Sequence, residues 1–337
     1  MSEETIKIGL KPGSQNTCIA MRTPEGTIST KCIKTAIYYP RTLLQEQSAE
    51  PPLIGEEALL HAGALMPLNL GLVETEDGVQ QIKDILTSLA LPQDADMVLA
   101  SPAMEINEGK NRLIHAVDEV CSPKSMFEFS EGVCSAAYIL GNAEKLKDTT
   151  MLVANLGSST FEFACIHEAN TIHLTAHSDI SGNNVDEKIR HRIQNSIGDA
   201  MITIKDVREI KETTSLKEPK TFKIKGQTRN GIVEQEINNE VLLPLTDYVE
   251  RVCETIKHEI RTIKPELRKR ALENPLIIAG GMANIDGLPE SIEDTLSLML
   301  NYPIKIAYSK SRDNHIAPAI GALMLAEALA KEQTGAH

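Results

Sequence analysis

The sequence predicts an α/β fold built twice in one chain, and two observations carry that prediction. The first is a pair of matching hairpins. Ile8-Gly9-Leu10-Lys11-Pro12-Gly13-Ser14 runs into Thr17-Cys18-Ile19-Ala20, and Val153-Ala154-Asn155-Leu156-Gly157-Ser158-Ser159 runs into Thr160-Phe161-Glu162-Phe163. In each, an apolar strand stops at a polar residue, Gly-Ser makes a tight turn and a second strand leaves. The second observation is that short apolar runs alternate with helix-period segments after each hairpin, the pattern of a partly parallel sheet. At 337 residues the chain also exceeds one core of ordinary size, so two domains are expected.

The elements follow in order. Residues 6–10 and 17–22 form the first hairpin, and a third strand is expected near 28–33. The stretch 34–72 holds Pro40, Pro51 and Pro52 and one short helical run, which suits a small inserted subdomain. Val79, Ile82, Leu86 and Leu89 share one helical face. A strand over 97–100, a helix over 110–120, a strand over 127–129 and a small-residue helix over 133–140 complete the first half. After a linker at 141–148, strands are expected over 150–155, 160–167 and 171–177, with helices over 183–196 and 204–212. Polar, strand-like residues 213–240 read as a second inserted subdomain. A long amphipathic helix over 241–263, a buried strand over 276–279, a helix over 288–299, a strand over 304–307 and a helix over 317–330 close the chain.

Composition narrows the function. A net charge of −13 argues against a nucleic-acid partner, because such binding rests on neutralising phosphates with Lys and Arg. Aromatics at 3% leave little with which to stack bases. The six cysteines contain no CxxC pair and sit among apolar neighbours, so they read as buried thiols in a reducing compartment. No apolar run reaches the length of a membrane span, and the acidic start Met-Ser-Glu-Glu is not a signal peptide. A cytoplasmic protein is expected.

Glycine lets a turn approach a phosphate closely, and exposed turn amides form an anion-binding nest. Gly13, Ser14, Gly157, Ser158 and Ser159 are therefore phosphate-binding candidates, although the same residues close ordinary hairpins. Ser130-Glu131-Gly132 ends a strand just before the small-residue helix. Glu131 is a first-turn carboxylate there, with Ser130 as N-cap.

The motifs taken together resemble the actin-like ATPases, specifically the bacterial actins of the MreB and MamK kind, over nearly the whole chain. Residues 8–20 and 152–164 correspond to the two phosphate loops. Pro67-Leu68-Asn69-Leu70-Gly71-Leu72-Val73 resembles the stretch ahead of the next helix, and Ser181-Gly182-Asn183-Asn184-Val185-Asp186-Glu187 resembles the motif that opens one. Val207-Arg208-Glu209-Ile210-Lys211-Glu212 looks like the helix bordering the ribose. Leu276-Ile277-Ile278-Ala279-Gly280-Gly281-Met282-Ala283-Asn284-Ile285-Asp286-Gly287-Leu288 is similar to the adenosine loop, and Ala317-Pro318-Ala319-Ile320-Gly321-Ala322 to the second connecting helix.

That resemblance implies duplicated actin-like (ribonuclease H-like) domains around a nucleotide cleft, each with a small inserted subdomain. The first would comprise 1–147 and 312–337, with its subdomain at about 34–72. The second would comprise 148–311, with its subdomain at about 187–250. It implies ATP or ADP as ligand with Mg²⁺. Glu131 would be the catalytic carboxylate that positions the attacking water. Lys211, Glu212, Gly280, Gly281, Met282 and Asn284 would border ribose and adenine. Lys11 and Asn155 depart from the family, which places Asp at both positions. Asn155 keeps an oxygen without the charge, and Lys11 reverses the sign, so Lys11 is expected to meet a phosphate as a point charge. Weakened Mg²⁺ binding and slowed ATP hydrolysis follow, and no metal ligands are assigned.

The expected function is a cytoskeletal protein that binds adenine nucleotide and polymerises with copies of itself into filaments that position cargo or an organelle. No direct membrane anchor is expected. The alternatives are a non-polymerising actin-fold adaptor of the PilM or FtsA kind and a nucleotide-binding pseudo-ATPase scaffold. A small-molecule kinase of the same superfamily is disfavoured because neither its catalytic Asp nor its larger insertions are found.

Overall fold

The computed structural model describes residues 5–40, 50–102, 107–197, 199–200, 202–218, 220–228 and 231–334. The chain divides into two compact units, 1–148 with 316–337 and 149–315.

The first unit opens with β1 (Lys7–Pro12), β2 (Asn16–Arg22) and β3 (Ile28–Lys34), followed by the short pair β4 (Ile37–Tyr38) and β5 (Leu53–Ile54). Helix α1 (Glu76–Ser88) starts where the Thr75 hydroxyl accepts the Gly78 N–H, with Glu76 and Asp77 in its first turn. Strand β6 (Asp96–Ser101), helix α2 (Glu108–Cys121), strand β7 (Ser125–Ser130) and helix α3 (Glu131–Ile139) follow. Ser130 caps α3 by accepting the Val133 N–H at 3.3 Å.

The second unit repeats the plan. Strands β8 (Thr150–Leu156), β9 (Phe161–His167) and β10 (Asn170–His177) lead into α4 (Gly182–Ile197). Next come β11 (Asp199–Ala200), α5 (Ile204–Thr213), β12 (Lys223–Thr228), β13 (Gly231–Glu236) and α6 (Asn238–Thr262). A Thr203–Asp206 capping box starts α5. Helix α7 (Pro265–Leu272), absent from the sequence reading, begins with proline at a position where its missing N–H costs nothing. Strand β14 (Leu276–Ala279), helix α8 (Leu288–Leu300) and strand β15 (Ile306–Ala307) end the unit, and α9 (Ala317–Thr334) returns to the first.

The duplication is visible in the sheets. One has strand order β3-β2-β1-β6-β7 and the other β10-β9-β8-β14-β15. Each is an antiparallel three-strand meander with two parallel strands added in succession beside its first member. The hairpin turns therefore lie at the same place in both sheets, at the end of the first strand. In the second unit β11, β12 and β13 form a separate three-stranded sheet.

Each unit has its own apolar core. In the first, Ile8, Leu10, Ile82, Leu86, Leu99 and Leu113 are fully buried. In the second, Phe161, Phe163, Ile189, Leu245, Ile278 and Leu288 are. Helix α9 packs on the first sheet and on α3 through backbone contact. A Cβ on Gly321 would fall 1.6 Å from the Cys134 carbonyl oxygen, and one on Gly9 would fall 2.0 Å from that of Ala319.

Cys18 and Cys32 depart from the reading of all six cysteines as free thiols. They are register partners on β2 and β3 and are joined as a disulfide. Cys121, Cys134, Cys165 and Cys253 are free and buried.

Gly321→Ala should lower stability by about 3 kcal/mol, the upper range of overpacking, because backbone rather than a side-chain tip stands in the way. Urea denaturation reads this directly, and an unchanged midpoint would show that α3 and α9 do not meet so closely.

Candidate nucleotide-binding site

In the first unit, β1 delivers Lys11 to the edge of its turn. The Gly13 N–H donates to the Asn16 carbonyl at 3.1 Å, and the Thr35 hydroxyl donates to the Gly13 carbonyl at 2.6 Å. Ser14 is tied to the 67–73 stretch, since its hydroxyl accepts the Gly71 N–H at 2.7 Å. Gly71 has φ +75°, and a Cβ there would fall 2.3 Å from the Pro102 ring.

The Lys11 side chain folds back over this turn. A Cβ on Gly13 would lie 2.1 Å from Lys11 Nζ. The ammonium stands 3.9 Å from Glu131 Oε1, and the two side chains are only 14% and 12% exposed. Lys11, Gly13, Ser14 and Glu131 are thus grouped around one turn, with Glu131 held there as the first residue of α3.

In the second unit three segments meet backbone to backbone. The Gly157 N–H closes the turn on the Thr160 carbonyl at 2.8 Å. The first amides of α4 then dock on that turn: Gly182 N–H donates to the Gly157 carbonyl at 3.1 Å and Asn183 N–H to the Ser158 carbonyl at 2.8 Å. Gly280, with φ +88°, leaves β14 so close to β8 that a Cβ would fall 2.4 Å from the Leu156 carbonyl oxygen. Met282 follows and lies against Gly182, where a Cβ would come 3.1 Å from its sulfur. Gly157, Ser158, Gly280 and Met282 are therefore brought together, and Gly281 and Asn284 share their 3-10 turn.

Asn155 and Glu162 are register partners on β8 and β9, each 3% exposed. Asn155 Nδ2 donates to Glu162 Oε2 at 3.4 Å. Asn284 is fixed from the other end of its loop, since its Oδ1 accepts the Asn314 N–H at 3.2 Å and its Nδ2 meets His315 Nδ1 at 3.2 Å.

Lys211 is buried, and its ammonium is committed to Asp186 at 2.6 Å and to the Gly182 carbonyl at 3.1 Å. Arg208 reaches the same carboxylate at 3.1 Å. Burial pushes the Lys211 ammonium below its usual pKa, and the attraction of Asp186 opposes this. In this position Lys211 braces the start of α4, while Glu212 beside it is exposed. Sequence reasoning missed this buried Asp186–Lys211 pair, its half-buried partner Arg208, and His315. No spacing signal links α4 to α5, and nothing local marks a histidine that follows Asn314.

Mg²⁺ is the metal that the fold implies, and it is usually held through one or two carboxylates and several waters. Neither turn carries a carboxylate at its head. The nearby Glu131 and Glu162 face Lys11 and Asn155 instead. Among the described residues no group of three His, Cys, Asp or Glu side chains could hold a metal ion. The residues present do not fit a carboxylate-held Mg²⁺.

The Salactin family profile matches residues 5–330. Salactin of Halobacterium salinarum is 23% identical over 97% of this chain and 93% of its own length. Among solved structures, a MamK double helical filament superposes with a TM-score of 0.77 at 20% identity, covering 96% of this chain and 99% of that one. MreB5 of Spiroplasma citri bound to AMPPNP gives 0.79 at 19% identity, covering 99% and 100%. The fold is the actin-like two-domain fold.

Asp186→Asn should cost about 3 kcal/mol, because it leaves the buried Lys211 ammonium without its counter-charge. Adding Lys211→Met should recover most of that loss. Denaturation midpoints of the single and double variants check both, and a silent Asp186→Asn would refute the buried pair.

Proposed function

This chain belongs to the Salactin family, and we propose that it is a cytoskeletal protein that binds adenine nucleotide and assembles head-to-tail into filaments. The observation that carries the reading is the glycine-lined meeting of the second unit's turn with the 280–284 loop and the start of α4. Such a meeting packs three segments together at the end of β8 and holds there a Gly-Ser-Ser turn of the kind whose amides and hydroxyls bind phosphate. The first unit carries a turn of the same design, with Lys11, Gly13 and Ser14 as its own phosphate-binding candidates. The nucleotide-bound state of MreB5 and the filament formed by MamK support the reading by likeness.

Each residue then has a task. The Gly157-Ser158-Ser159 turn presents its backbone and hydroxyls to the phosphates, and Lys11 offers a charge. Gly280, Gly281, Met282 and Asn284 form the face against which the nucleoside lies. Lys211 acts indirectly, by pinning Gly182 through its carbonyl. Glu131 is the carboxylate placed to orient an attacking water. Its pairing with Lys11 ties up that carboxylate, so hydrolysis is slow. Contacts between copies that repeat without closing a ring generate a filament. No helix among the described residues is long and apolar enough to cross a membrane, and we place the filament in the cytoplasm.

Sedimentation and negative-stain microscopy, with and without ATP, test assembly. ATP-dependent pelleting of filaments is expected, whereas a protein that stays monomeric in every condition is an adaptor instead. Phosphate release tests the chemistry. The double variant Lys11→Asp/Asn155→Asp should hydrolyse ATP on the order of tenfold faster than the native chain, because it frees Glu131. Equal rates would remove Lys11 and Asn155 as the cause of slow turnover.

A further inference from the structure

The polyphosphate of a nucleotide needs positive charge, and a divalent cation is the common supplier. Here the Lys11 ammonium stands at the first unit's candidate phosphate turn. Strand pairing fixes the Lys11 backbone opposite Cys18. The missing Cβ of Gly13 leaves the room that the side chain uses, with Nζ 2.1 Å and Cε 2.9 Å from where that atom would be. Glu131 faces the ammonium at 3.9 Å and keeps it at the turn, and both side chains remain partly exposed to an incoming ligand. A second cation placed there would meet Lys11 at close range and repel it. In the second unit the corresponding strand ends on Asn155, a buried neutral amide that donates to the buried Glu162.

We propose that this chain takes its nucleoside triphosphate free of divalent metal, with the Lys11 ammonium neutralising the phosphates that a metal ion would otherwise carry. The inference rests on the nucleotide-binding reading above and sharpens it. Metal-free ATP carries more negative charge than its Mg²⁺ complex, so the built-in ammonium selects the free nucleotide. On nucleotide arrival the phosphate joins the Glu131 carboxylate as a second anionic partner of the three-donor Lys11 ammonium.

Calorimetric titration of ATP into the full chain, once in EDTA and once in excess Mg²⁺, tests this. Affinity in EDTA should equal or exceed that in Mg²⁺. Lys11→Met should lose about tenfold or more in EDTA, the loss expected for one charge-assisted hydrogen bond, and Lys11→Arg should retain binding. Circular dichroism of each variant verifies folding. Binding that requires Mg²⁺ would overturn the proposal, as would a folded Lys11→Met variant that binds ATP in EDTA like the native chain. A folded native protein that binds ATP in neither buffer would instead overturn the nucleotide-binding reading, and the metal-free proposal with it.

Discussion

In the second unit everything near the candidate site depends on backbone meeting backbone without a Cβ between. Such an atom on Gly157, Gly182 or Gly280 would fall 2.6, 3.4 and 2.4 Å respectively from a backbone carbonyl oxygen, and on Gly182 also 3.1 Å from the Met282 sulfur. With those three contacts in place, β8 and β14 can end side by side, and α4 can begin on the turn itself. The Gly182 and Asn183 amides are then spent on the turn carbonyls, so the turn is rigid before any ligand arrives. A turn held this way needs little ordering on binding, which favours affinity.

The first unit copies the sheet plan and alters the charge. Its turn is braced by Thr35 and Gly71, and α9 closes on β1 and α3 through Gly9 and Gly321. The electrostatic difference lies in Lys11. A carboxylate at that position would share a turn with Glu131 and require a cation to hold the two together. The ammonium satisfies Glu131 within the chain. In the function proposed for this chain, that one reversed charge would govern both the need for a metal ion and the availability of Glu131.

Much of this was legible in the sequence because it is local. Gly-Ser turns between apolar runs, Gly280-Gly281 after a buried strand and Ser130 ahead of a small-residue helix follow from turn and cap chemistry within a few positions. What could not be read is set by tertiary pairing. Asp186 meets Lys211 and Arg208 only because α4 and α5 lie against each other. Cys18 faces Cys32 only because the β2–β3 register puts them opposite, which no spacing rule announces. The His315 contact with Asn284 likewise joins positions far apart in the chain. The Lys11 charge was plain from its position, but its fold-back over Gly13 toward Glu131 needed coordinates.

The central claim is that the glycine-lined meeting in the second unit seats an adenine nucleotide. Photolabelling the native chain with 8-azido-ATP, followed by peptide mapping, examines it most directly. The account predicts label on the peptide containing Met282 and Asn284, suppressed by excess unlabelled ATP. Label confined to other segments, or label that ATP does not displace, would contradict it.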